Sequence, residues 1–174
     1  ITIDVAYRYF ETAEKKFIVA DAPGHKEFTR NMVTALTQSD AVLILADASR
    51  GITEQTKRHL FLAEWIGTKQ LVVLINKMDL VNFDEKIFNQ IKSQLTTDKK
   101  ITYIPISALN GDNIIKKSDQ MKWYKGPTLN EWLHLKSTTR QLSNDENEVF
   151  FAIQTTKENF VSGSLKSGKI NAGD

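Results

Sequence analysis

The sequence predicts an α/β fold with a doubly wound, mostly parallel sheet, followed by the beginning of a β-barrel domain. Three observations support this prediction. Apolar runs of strand length alternate with segments of helical periodicity, which implies parallel strands joined by right-handed crossovers. The run at 41–46 (AVLILA) is continuously apolar, as expected for a parallel strand covered on both faces. Residues 149–174 instead contain strand-like segments separated by glycines, as in the opening of a barrel.

The individual elements follow from hydrophobic spacing along the chain. Apolar and polar residues alternate over 3–9, which predicts a half-buried strand that a turn at 11–15 joins to a second strand at 17–20. Apolar residues at helical spacing then predict a helix over 26–36. The remaining predicted elements are strand 41–46, helix 54–66, strand 71–75, helix 84–95, strand 102–106 and helix 128–135.

The length of 174 residues suits one domain of about 150 residues and a short further segment. We expect a first domain over 1–135 and a polar linker over 136–148 (KSTTRQLSNDENE), with a β-barrel domain beginning in 149–174. The chain starts at Ile1, directly in patterned sequence, so we expect it to be a piece of a longer protein.

Composition excludes several classes of protein. Hydrophobic residues make up 41% and charged residues 25%, which is typical of a globular protein and excludes disordered and collagen-like chains. A net charge of +2 is too small to attract nucleic acid or a membrane through the overall field, so we expect neither partner. The sequence contains no cysteine, which excludes disulfides and thiolate chemistry and favours a cytoplasmic location.

Three polar clusters follow predicted strands, at the edge where open parallel sheets bind ligands. They are residues 21–24 (DAPG) after the second strand, 76–79 (NKMD) after the fourth and 107–109 (SAL) after the fifth. Because the carboxyl ends of parallel strands share one edge, the three clusters are expected to contact a single ligand.

The cluster at 76–79 suits recognition of guanine. The Asp79 carboxylate can accept hydrogen bonds from N1 and the exocyclic amino group of that base, a pair of donors that adenine lacks. A site built this way discriminates by about 10⁴, since the wrong base leaves the carboxylate unpaired. The stem of Lys77 can lie along the base, Asn76 can tie neighbouring loops together, and Ser107 and the Ala108 amide can support the same pocket. The alternative is an ordinary solvated turn.

The cluster at 21–24 suits the phosphate end of the same ligand. Asp21 can hold Mg²⁺ through water, and Gly24 lets its backbone amide approach a terminal phosphate without a Cβ in the way. Thr2 could supply a hydroxyl to the same ion. His25 directly follows and is placed to orient a water for in-line attack. The other histidines, His59 and His134, lie within helical patterns and are predicted to be structural or exposed.

Together these segments resemble a translation-factor-type GTPase, a P-loop GTPase-type fold. The resemblance implies GTP and Mg²⁺ as ligands, His25 as the catalytic residue, and Thr2 and Asp21 as the residues that hold the metal. The residues that match the GTP-binding signatures are Asp21, Ala22, Pro23, Gly24, His25, Asn76, Lys77, Met78, Asp79, Ser107, Ala108 and Leu109.

Within that superfamily, three stretches resemble the large subunits of bacterial sulfate adenylyltransferases: residues 1–10 (ITIDVAYRYF), 51–59 (GITEQTKRH) and 118–129. The resemblance implies that GTP hydrolysis drives the attack of sulfate on ATP, which yields adenosine 5′-phosphosulfate and pyrophosphate. It also implies a small catalytic subunit as partner, in a heterodimer or larger assembly. The phosphate-binding motif G-x-x-x-x-G-K-[ST] does not occur in this sequence, so we expect the chain alone to bind GTP weakly.

Two other functions stay open on the same fold. A carrier that delivers aminoacyl-tRNA would retain tRNA, whereas the segments at 7–9 (YRY) and 121–129 favour the sulfate-activating branch. The other is a GTP-binding scaffold without turnover, and this function would be supported if His25 proved dispensable for hydrolysis.

Overall fold

The computed structural model describes residues 4–12, 14–68, 70–95, 101–135, 149–157, 160–167 and 169–170. It forms two compact units, Ile1–Ser137 and Thr138–Asp174. The strands are β1 (Ala6–Glu11), β2 (Lys16–Asp21), β3 (Ala41–Asp47), β4 (Gln70–Asn76), β5 (Thr102–Pro105), β6 (Phe150–Lys157) and β7 (Phe160–Ser167), and the helices are α1 (Thr29–Gln38), α2 (Glu54–Trp65), α3 (Glu85–Ser93) and α4 (Leu129–Leu135).

A parallel sheet with strand order β3-β4-β5 is the centre of the first unit. Its middle strand, β4, is buried from Leu71 to Ile75. Alternate residues of a strand face opposite sides of the sheet, and β4 accordingly contributes to two hydrophobic cores. Val73 and Ile75 pack in one core with residues of α1, α2 and α3. Val72 and Leu74 pack in the other with Trp132 of α4. Helices therefore lie on both sides of the sheet, as the sequence predicts.

Strand β3 differs from its prediction on one face. Its buried residues are Val42, Ile44 and Ala46, whereas Leu43 is 38% exposed and Leu45 is 62% exposed. In the parallel register Leu43 pairs with Val72 and Leu45 with Leu74. Helix α4 covers those β4 residues through Trp132. The described residues leave the adjoining half of this face, on β3, open to solvent.

Strands β1 and β2 form a separate antiparallel hairpin. The predicted turn closes with a hydrogen bond from Thr12 N to Lys15 O of 2.8 Å. The rings of Phe10 and Phe17 stack with centroids 4.8 Å apart, and Phe17 also meets the edge of His134 at the end of α4. Lys15 Nζ donates to the carbonyl of His134 at 2.7 Å. The hairpin is thus anchored to α4, and His134 has the structural role predicted for it.

The helices begin where the sequence supplies caps. Thr53 accepts a hydrogen bond from Thr56 N at the start of α2, and Asp84 accepts one from Lys86 N at the start of α3. The helix predicted over 26–36 is divided instead into a 3-10 turn, Lys26–Phe28, and then α1. No described helix is long and apolar enough to cross a bilayer.

The second unit contains the antiparallel pair β6-β7, which fits the opening of the predicted barrel domain. Gly163 lies so close to the carbonyl of Ala152 that a Cβ at this position would collide with it. This close approach of two backbones explains the glycine at this position. The predicted linker, 136–148, lies outside the described residues, so the domain boundaries stay a prediction.

Candidate guanine-nucleotide site

The loop after β4 is joined to the loop after β5 by the side chain of Asn76. Its Oδ1 accepts hydrogen bonds from Lys77 N at 2.7 Å and from Ala108 N at 3.0 Å. Lys77 has the left-handed φ of 64° that turns the chain sharply at the end of the strand. The predicted role of Asn76, tying neighbouring loops together, matches these two contacts.

A second link joins the same loops through Asp79 and Ser107. Ser107 Oγ donates to Asp79 Oδ1 at 2.6 Å, and Ser107 itself is completely buried. The carboxylate is half-buried and oriented by one of its oxygens, and it retains acceptor capacity for further donors. Met78, between Lys77 and Asp79, is completely buried in the core, so any contact it makes with a ligand is through its backbone. Leu109, by contrast, is 86% exposed.

Lys77 forms an ion pair that the motif at 76–79 does not predict. Its Nζ lies 2.6 Å from Oδ2 of Asp47, the last residue of β3. Ser49 donates to the other oxygen, Oδ1, from both N at 2.9 Å and Oγ at 2.6 Å. These hydrogen bonds, the one from Lys77 above all, lower the pKa of Asp47 from 3.8 to about 2. The carboxylate is therefore charged at neutral pH and holds the Lys77 ammonium at the strand end.

The register of the sheet explains why Asp47 belongs here. Asp47 pairs with Asn76 across β3 and β4, and Ala48 N donates to the carbonyl of Asn76 at 2.8 Å. The sequence does contain a signal for Asp47, because it is a carboxylate at the end of a parallel strand and the ends of parallel strands share one edge of the sheet. We call Asp47, Asn76, Lys77, Asp79, Ser107 and Ala108 the base end of the site.

The segment 21–25, which we call the phosphate end, follows the hairpin strand β2. Asp21 is exposed, Pro23 is buried, and Gly24 and His25 are exposed. The His25 ring caps the following 3-10 turn, since its Nδ1 accepts a long hydrogen bond of 3.5 Å from Glu27 N and lies 3.8 Å from the Glu27 carboxylate. The exposed backbone and carboxylate here are accessible to a ligand.

His59 contacts the phosphate end from helix α2. Its Nε2 lies 3.0 Å from the carbonyl oxygen of Gly24. The histidine is therefore part of the surroundings of the site, whereas the sequence pattern suggested only a structural or exposed position. The signal was absent from the local sequence, because the two residues are 35 positions apart.

The donor set at the phosphate end fits Mg²⁺ bound together with a nucleotide. Asp21 is an exposed carboxylate at a strand end, and Mg²⁺ in nucleotide sites is held by one or two protein oxygens plus phosphates and waters. No cluster of three or more acidic, histidine or cysteine ligands occurs among the described residues. Thr2, the other predicted metal ligand, lies outside the described residues.

Comparison with curated proteins gives relatives that share one name. The chain is 47% identical over 188 residues to sulfate adenylyltransferase subunit 1 of Aliarcobacter butzleri, a match that covers 100% of this chain and 39% of that protein. It is 51% identical over 140 residues to the subunit of the same name in Yersinia enterocolitica, covering 76% of this chain and 29% of that protein. The chain thus spans well under half of the length of these relatives.

Solved structures support the fold. The bacterial selenocysteine-specific elongation factor EF-Sec matches 99% of this chain and 29% of its own, with a TM-score of 0.62 and 20% identity, which shows the fold alone. Translation elongation factor SelB from Methanococcus maripaludis, in complex with the GTP analogue GppNHp, matches 99% of this chain and 38% of its own, with a TM-score of 0.61 and 25% identity.

The family model for the elongation factor Tu GTP binding domain matches residues 1–162, which is most of the chain. This match and the structural neighbours confirm the predicted α/β GTPase fold class. The relatives confirm the resemblance to sulfate adenylyltransferase subunit 1. The chain therefore belongs to the family of the elongation factor Tu GTP-binding domain.

Proposed function

We propose that this chain is the GTP-binding part of a sulfate adenylyltransferase subunit that couples GTP hydrolysis to the formation of adenosine 5′-phosphosulfate from ATP and sulfate. The observation that carries the proposal is the 43–51% identity to proteins named sulfate adenylyltransferase subunit 1. The geometry of the base end, where buried Ser107 orients Asp79, supports the choice of GTP.

At the base end, Asp79 accepts the N1 and amino donors of guanine. The hydrogen bond from Ser107 keeps the carboxylate in place before the base arrives, so little ordering is needed on binding. Asn76 holds the Ala108 amide at the pocket, where that amide faces the carbonyl oxygen of the base. Asp47 keeps Lys77 directed along the strand ends.

At the phosphate end, the chain binds the terminal phosphate and orients water. Gly24 offers its amide to the phosphate. Asp21 and Thr2 would hold Mg²⁺, which would supply positive charge to the phosphate oxygens. His25 orients the water that attacks the terminal phosphorus in line, and GDP leaves. The predicted GTP contacts of Ala22, Pro23, Met78 and Leu109 are part of the same proposal.

The coupled reaction takes place on a partner. A sulfate oxygen attacks the α-phosphorus of ATP. The bond between the α-phosphorus and the oxygen that bridges it to the β-phosphorus breaks, and pyrophosphate leaves. We assign this step to a small catalytic subunit in a heterodimer or larger assembly. Adenylyl transfer to sulfate is unfavourable, whereas GTP hydrolysis is favourable and supplies the free energy. Binding of GTP without hydrolysis can shift populations only by its differential affinity.

The test is pyrophosphate release by the full-length protein mixed with its small partner subunit, ATP, sulfate and Mg²⁺. We expect GTP to accelerate release and GppNHp to fail to sustain many turnovers. The matched control omits sulfate and should release no pyrophosphate with either nucleotide. If GTP has no effect while the protein retains aminoacyl-tRNA on a filter, the proposal is wrong and the tRNA-carrier function is correct.

A further inference from the structure

His59 covers the backbone of Gly24 in the phosphate end. Its Nε2 lies 3.0 Å from the Gly24 carbonyl oxygen. A Cβ built on Gly24 would lie 3.3 Å from Cε1 of the same ring, so the imidazole lies beside Gly24 on the side where a Cβ would project. A carbonyl oxygen only accepts hydrogen bonds. Nε2 of His59 therefore carries its proton and donates.

The donor is held more firmly than the acceptor. Helix α2, which carries His59, is capped by Thr53 and fixed in the core by Leu60 and Ala63, both buried. Gly24 lies in an irregular and exposed loop between β2 and the 3-10 turn. The hydrogen bond therefore fixes the loop relative to the helix, rather than the helix relative to the loop.

The restrained carbonyl belongs to the peptide unit that joins Gly24 to His25. Because this unit is planar, the direction of its C=O also sets the direction of the His25 N–H and the position of the His25 Cα. The His25 side chain projects from that Cα. A bond to Gly24 O therefore constrains where the His25 imidazole can reach.

We propose that His59 is a positioning residue for GTP hydrolysis, acting through the Gly24–His25 peptide on the His25 side chain. The inference rests on the proposed function, in which His25 orients the attacking water. Helix α2 then affects the rate of GTP hydrolysis through His59, whereas recognition of the base depends on the base end.

The test compares two amide substitutions that differ by one methylene. The Gln amide nitrogen can reach the position of Nε2, whereas the Asn amide nitrogen corresponds to Nδ1 and falls short of Gly24. In single-turnover hydrolysis by the full-length protein, we expect His59→Asn to be slower by about tenfold and His59→Gln to stay within about threefold of wild type, the range for loss or retention of one hydrogen bond. GTP affinity should change little in either variant.

A double substitution separates positioning from a general structural role. If His59 acts through His25, then His59→Asn has no further effect in a His25→Ala background, because the effects of coupled residues do not add. Lys57→Ala, on the same helix in an exposed ion pair with Glu54, is the matched control and should hydrolyse GTP at the wild-type rate. His59→Leu fills the space of the ring without a donor and replaces His59→Asn if thermal unfolding shows the latter to be poorly folded.

Two results would overturn the inference while leaving the proposed function intact. One is equal hydrolysis rates for wild type, His59→Gln and the variant that lacks the donor. The other is a decrease in the hydrolysis rate on His59→Asn that is as large in the His25→Ala background as in the wild-type background. A wild-type protein that binds no GTP or does not hydrolyse it would overturn the proposed function, and the inference with it.

Discussion

The base end and the phosphate end of the candidate site are held in different ways. The base end lies at the carboxyl ends of the parallel strands β3, β4 and β5, and side-chain hydrogen bonds through Asp47, Asn76 and Asp79 join these three strand ends. The phosphate end follows a hairpin outside the parallel sheet, and its residues are exposed except for half-buried Ala22 and buried Pro23. If the proposed function is correct, base selection depends on strand ends that several side-chain hydrogen bonds join, while hydrolysis depends on an exposed segment that neighbouring elements must position.

Among the residues of the base end, substitution of Asp79 should change nucleotide preference the most. In the full-length protein, Asp79→Asn should reverse the preference for GTP over xanthosine triphosphate, because an amide can donate to the 2-oxo group of xanthine. We expect the ratio of the two affinities to change by about 10³ or more. Competition binding of the two nucleotides measures it, with Asp119→Asn, at an exposed loop position, as the control. An unchanged GTP preference would contradict the guanine pocket.

The difference in burial between sheet and hairpin predicts a difference in stability. Ile75, in β4, is completely buried, whereas Ile18, in β2, is 66% exposed. Ile75→Ala should lower the free energy of unfolding by about 2–5 kcal/mol. Ile18→Ala should change it by no more than about 0.5 kcal/mol. Urea unfolding of the two variants is a matched comparison, and a similar loss in both would show that the hairpin face is covered in the whole protein.

A substitution at the phosphate end should slow GTP hydrolysis without loss of GTP binding. His25→Ala should lower the rate of GTP hydrolysis by about 10², the scale for loss of a positioned catalytic group. Affinity should stay nearly unchanged, because the base end is intact. Single-turnover phosphate release gives the rate, and Lys26→Ala at the neighbouring exposed position serves as control. A wild-type rate in His25→Ala would mean that another group orients the water.

The sequence predicts the features of this molecule that depend on local pattern. Strand and helix order, the hairpin turn at 11–15 and the motif at 76–79 follow from spacing and from residue types at strand ends. What it misses depends on which elements become neighbours. The open face at Leu45 arises because α4 covers β4 and not β3. Asp47 belongs to the site because the strand register places it beside Asn76. His59 belongs to it because α2 packs beside the loop that contains Gly24.

The smallest predicted effect concerns the ion pair between Asp47 and Lys77, which joins the end of β3 to the loop after β4. The pKa of Asp47 is lowered to about 2 in the folded protein, so its stabilising contribution is complete above its ordinary value of 3.8 and is lost as the pH falls through about 2. Because Lys77 is half exposed, water weakens the pair, and Asp47→Asn should lower the free energy of unfolding at neutral pH by only about 0.5–1 kcal/mol.

The difference between wild type and Asp47→Asn should therefore shrink between pH 3.8 and about 2, as the folded-state carboxyl is protonated. Urea unfolding across this range measures it. Glu11→Gln, which removes an exposed pair with Lys16 at 3.7 Å, is the control and should have a smaller effect at neutral pH. A difference that persists unchanged below pH 2 would mean that Asp47→Asn does not act through loss of the carboxylate charge, and so not through the ion pair with Lys77.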